Sequence, residues 1–76
     1  SSDLMTPAEE WAGRQYPGME DPLRGLLLDH LLGRVRRALD GMARSRAPAE
    51  ARRRELEQVL EGLMEMRKEW DAWQQR

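Results

Sequence analysis

The sequence predicts an all-α fold, and three observations carry that expectation. Apolar residues recur at alternating steps of three and four in two long stretches, each stretch is preceded by a helix-start signature, and proline-containing breaks separate the segments. The expected architecture is a short N-terminal helix followed by an antiparallel hairpin of two long helices. The boundaries are an N-terminal arm over 1–20 and a hairpin over 21–76, with the turn near 45–48.

The first helix starts at Thr6-Pro7-Ala8-Glu9, where threonine can cap, proline occupies the first helical position and glutamate lies three residues after the cap. Tyr16-Pro17-Gly18 ends it early. Asp21-Pro22 is a second start, and nothing interrupts a helix from there to about Arg44. Ala47-Pro48 forces the next break and opens a third helix, with Glu50 in its first turn.

Within the second segment Leu28, Leu32, Val35, Leu39 and Met42 form a seam; within the third, Leu56, Val59, Leu63, Met66, Trp70 and Trp73 do the same. Two helices joined by a short loop lie antiparallel. Pairing Leu39 with Leu56, Val35 with Val59, Leu32 with Leu63 and Leu28 with Met66 keeps the sum of residue numbers at 94 or 95, so the fold-back falls near 47. One further step sets Trp70 against Gly25, the largest side chain against the smallest.

Both helices carry more apolar surface than a two-helix seam uses. Leu27, Leu31 and Ala38 widen one stripe, and Leu60 and Met64 widen the other, giving apolar arcs of roughly 140° and 180°. Arcs this wide imply more than one neighbour. Trp11, Tyr16 and Met19 lie in the arm, so a cluster of Trp11, Tyr16, Trp70 and Trp73 around Leu23 and Leu26 is expected at the open end of the hairpin. Those rings serve either as an internal plug or as interface anchors. Such a plug would not reach the middle of the hairpin, where Leu31, Leu60 and Met64 need cover from a second copy, as a homodimeric four-helix bundle, or from a different protein. Leu27, Leu31, Leu60, Met64, Trp70 and Trp73 are the expected partner-binding residues.

Of the four glycines inside the long helices, Gly25, Gly33, Gly41 and Gly62, only Gly25 has an evident role in the sequence.

A chain of 76 residues holds one small core, and without cysteine no disulfide or thiolate metal site supports it. The longest apolar run is Leu26-Leu27-Leu28, so no membrane span or signal-peptide core is expected, and a cytoplasmic protein is the natural reading. Net charge is −1, yet the charge is polarised. Eight arginines face only Asp40 and Glu50 between Arg34 and Arg54, a surplus of six; five basic and twelve acidic residues elsewhere leave seven negative charges.

Catalytic patterns are missing. His30, the single histidine, has Leu26, Leu27, Gly33 and Arg34 as helical neighbours, so no carboxylate or second imidazole shares its face. Ser45 has no base nearby in sequence. Glu57, Glu61, Glu65 and Glu69 step by four as an acidic stripe without a matching ligand set on the other helix. No phosphate-cradling loop is present, and a non-enzyme without cofactor or metal is expected.

The basic patch is Arg44, Arg46, Arg52, Arg53 and Arg54. Arg44 and Arg46 suit a helix C-terminus, whereas Arg52 to Arg54 sit in opening turns that favour negative charge. Local partners offset that cost, with Glu50 reaching Arg53 and Arg54, Arg54 reaching Glu57 or Gln58, and Arg52 covering Met42 along the seam. The function expected is a small non-catalytic interaction module, an adaptor, assembly factor, co-chaperone or inhibitor. The alternative is nonspecific nucleic-acid binding through the arginine-rich end. Against that alternative, no aromatic residue between 17 and 69 is available for base stacking.

Overall fold

The computed structural model describes residues 4–45 and 49–75. It contains three helices, α1 (Pro7–Ala12), α2 (Arg24–Arg44) and α3 (Glu50–Gln74), with no strand among the described residues. The two long helices pack against each other, and α1 packs on both. The expected turn residues 46–48, with Arg46 and Pro48, lie outside the described residues.

Helix α1 starts as its sequence indicates. The Glu9 N–H donates to Thr6 Oγ1 (3.2 Å) and the Thr6 N–H to Glu9 Oε1 (2.9 Å), closing a capping box with Pro7 in the first turn. Gly13, at φ 78°, ends it, its N–H bonded to Glu9 O at 2.7 Å. Six residues are too few for an isolated helix to persist in water, so tertiary contacts hold this one. Helix α2 begins slightly later than the Asp21-Pro22 signature suggests. Asp21 accepts the Leu23 N–H on its carboxylate (3.0 Å) and the Arg24 N–H on its carbonyl (3.2 Å), so a turn precedes the helix proper.

The hairpin seam holds. Leu28, Leu32, Val35, Leu56, Val59, Leu63, Met66 and Trp70 are buried in one cluster, with Leu39, Met42 and Trp73 packed at its margin. The register is visible at the open end. A Cβ built on Gly25 would lie 3.6 Å from Trp70 Nε1 and 2.7 Å from Arg67 Nη1, and Arg67 Nε meets Asp29 Oδ1 at 3.0 Å. A methyl group at position 25 would displace the Arg67 guanidinium and lie in ordinary contact with Trp70.

Where α1 lies differs from expectation. It reaches the middle of the hairpin, because Ala8 seats on Gly62 so closely that a methyl group there would overlap the Ala8 methyl. Ala8 and Ala12 are both buried, and small side chains on that face, with Ala8 over a glycine, let α1 lie close against the long helices. Leu31 is buried, at 5% exposure, in the same cluster as Ala8 and Ala12. The expected four-ring plug does not assemble. Trp70 and Trp73 meet edge to face, with centroids 6.4 Å apart, but Trp11 lies under the Arg34 guanidinium at 5.6 Å, while Tyr16, Leu23 and Leu26 remain exposed. Docking α1 along the hairpin carries Trp11 away from the end that the plug required.

Candidate interaction surface

The six apolar residues singled out in the sequence do not form one surface. Trp70, at 6% exposure, and Leu31 belong to the core of the folded chain. Trp73 is half-buried and Leu27 is 39% exposed. Leu60 is half-buried and Met64 is 45% exposed. At about 100° per residue, Leu60 and Met64 lie roughly 60° and 100° to one side of Leu63, and Gly62 lies roughly 100° to the other. Since Gly62 carries α1, the Leu60–Met64 flank is the one that α1 leaves open.

On the covered side, a polar knot locks α1 and the following linker to both long helices. Arg24, 3% exposed, donates from Nη1 to Ala12 O, from Nη2 to Gly13 O (2.7 Å) and from Nε to Gln15 Oε1 (3.2 Å). It therefore satisfies carbonyls that the end of α1 leaves without helical partners. Gln15 turns its amide to α3, donating to Met66 O (2.9 Å) and Glu69 Oε1 (3.1 Å). Burial pulls the Arg24 guanidinium below its ordinary pKa and Asp21 partly opposes the shift, yet an arginine so placed stays charged. Neither residue was singled out in the sequence. The one available signal was an arginine in the first turn of α2, against the macrodipole, which a tertiary role accounts for.

Beside the knot, α1, the linker and α3 enclose a surface cleft of about 430 Å³, walled by Tyr16, Trp73, Glu9, Glu65 and Glu69 among others. Two of its carboxylates are engaged by the protein itself, Glu9 in the capping box and Glu69 with Gln15. Four glutamates line one side of α3, yet no group of three His, Cys, Asp or Glu side chains among the described residues is placed to hold a metal ion. His30 is solvent-exposed.

At the loop end three arginines of the basic patch are held by local pairs. Arg44 meets Asp40 (3.0 Å), Arg52 meets Glu55 (3.3 Å) and Arg53 meets Glu50 (2.9 Å). Arg52 thus turns to Glu55, with half its side chain exposed. Glu50 selects Arg53, and Arg54 makes no ion pair among the described residues. All three pairs are solvated, so each contributes little to stability. Among the described residues no helix is long and apolar enough to cross a membrane.

No protein-family profile, curated protein or solved structure matches the chain.

Proposed function

We propose that this is a small non-catalytic interaction module, of the adaptor, assembly-factor, co-chaperone or inhibitor kind, which acts in the cytoplasm through the hairpin flank that α1 leaves open. The supporting observation is the asymmetry of α3. One flank has a dedicated cover in Ala8, seated on Gly62, whereas on the other, among the described residues, Leu60 is only half-buried and Met64 is exposed. Half-exposed apolar side chains on a helix gain about 25 cal/mol per Å² when a partner removes them from water. Self-association into a four-helix bundle is the simplest way to achieve this, and a different protein chain would occupy the same flank.

Nucleic-acid binding by Arg44, Arg46, Arg52, Arg53 and Arg54 has less support, because Arg44, Arg52 and Arg53 already hold carboxylates. Sedimentation equilibrium at micromolar concentration and two salt concentrations tests the main reading. A salt-tolerant dimer that Met64→Glu dissociates is expected. A wild-type monomer that retains DNA in a salt-sensitive manner, with loss of retention on reversing Arg52 to Arg54, would replace it.

A further inference from the structure

The open flank of α3 has an order that identifies its occupant. Counting along it, the residues are Arg53, Glu57, Leu60, Met64, Arg67 and Asp71, at steps of four and three. These six fall within an arc of about 80° on the helix. Reversing the stripe on itself pairs Arg53 with Asp71, Glu57 with Arg67 and Leu60 with Met64, and each pair of residue numbers adds to 124. Every cation then faces a carboxylate, and the two apolar residues face each other.

We propose that the partner on this flank is a second copy of the chain, with the two α3 helices antiparallel about a two-fold axis beside residue 62. This assignment rests on the interaction-module reading above and adds to it the occupant, direction and register. A parallel arrangement in register would set each charge against its own kind, and an antiparallel slip that brought Arg53 opposite Arg67 would set cation against cation. The alternating three-four spacing is that of a helix seam, so the stripe can follow a second helix along its length. The side chains are accessible for it. Met64 is 45% exposed, and the side chains of Arg53 and Asp71 are 50% and 53% exposed. Glu57 is exposed and makes no ion pair among the described residues, which leaves its carboxylate for Arg67 of the second copy. Arg67 already bridges Asp29 and Asp71, and Arg53 already meets Glu50, so Asp71 would be shared between Arg67 of its own chain and Arg53 of the other, and Arg53 between Glu50 and Asp71 of the other.

A two-fold interface makes each contact twice, so charge reversal has a distinctive outcome. Arg53→Glu alone sets two carboxylates together at both ends, and Asp71→Lys alone sets two cations together. Mixed, the two variants restore opposite charges at both ends. Sedimentation equilibrium is expected to show each variant dimerising roughly tenfold or more weakly than wild type, with the equimolar mixture regaining wild-type affinity as a heterodimer. Arg54→Glu, one residue away but roughly 100° around the helix, is the control and is expected to dimerise as wild type does. Circular dichroism of each variant establishes that the fold is kept. A wild-type dimer that neither reversal weakens, or a mixture no tighter than its components, would overturn the register while leaving self-association intact. A wild-type chain that stays monomeric at the highest concentration would overturn both.

Discussion

The two ends of the hairpin are both rich in arginine, and they use it in opposite ways. At the open end, Arg24 is buried and bonds to the end of α1 and to Gln15, while Arg67 crosses from α3 to Asp29 on α2. At the loop end, Arg44, Arg52 and Arg53 each pair with a carboxylate three or four residues away on the same helix. A bond between elements fixes where those elements lie, and when it is buried its loss leaves polar groups without water. A bond within one exposed helix does neither. Similar residues therefore specify the tertiary structure at one end and chiefly keep a helix soluble at the other.

Substitutions can break this contrast, and the largest effect is expected at Arg24. Arg24→Ala would strip partners from the carbonyls of Ala12 and Gly13 and free Gln15, costing about 3 kcal/mol, read from chemical denaturation. Arg24→Lys keeps the charge without the planar fork and should retain only part of that stability. Gly62→Val comes next, at about 2 kcal/mol, because the added methyls meet Ala8 backbone and side chain. Tryptophan emission should report the departure of α1, since Trp11 would lose its Arg34 cover. Gln15→Ala removes the amide bonds to Met66 and Glu69 and should cost about 1 kcal/mol. Smallest are Arg52→Ala and, on protein dilute enough to be monomeric, Arg53→Ala, each expected within about 0.5 kcal/mol of wild type. A loop-end substitution as costly as Arg24→Ala would erase the distinction.

The same contrast explains what was legible in the sequence. The hairpin was, because its seam repeats along each helix and its register follows from a constant sum; Gly25 facing Trp70 is a local consequence of that sum. The start of α1 was legible too, since a capping box is written within four residues. The side of the hairpin that α1 covers was not. Both flanks carry leucine or methionine, and the deciding feature is a glycine, Gly62, which marks its slot by the absence of a side chain. Leu31 looked available to a partner for that reason, and Trp70 looked like an anchor at the open end, although the chain buries both itself. Arg24 and Gln15 act over long sequence separations once α1 is in place, and no periodicity encodes such bonds. The Leu60–Met64 flank keeps its place as the candidate surface because α1 went to the other side.

Residue-resolved amide hydrogen exchange by NMR, on protein dilute enough to be monomeric, tests the central contrast most directly. Slow exchange near the global limit is expected for amides from Leu28 to Val35 and from Val59 to Trp70, where α1 and the polar knot add contacts, with much faster exchange at 41–44 and 54–56. Equal protection along the full length of α2 and α3, up to the loop, would contradict the account.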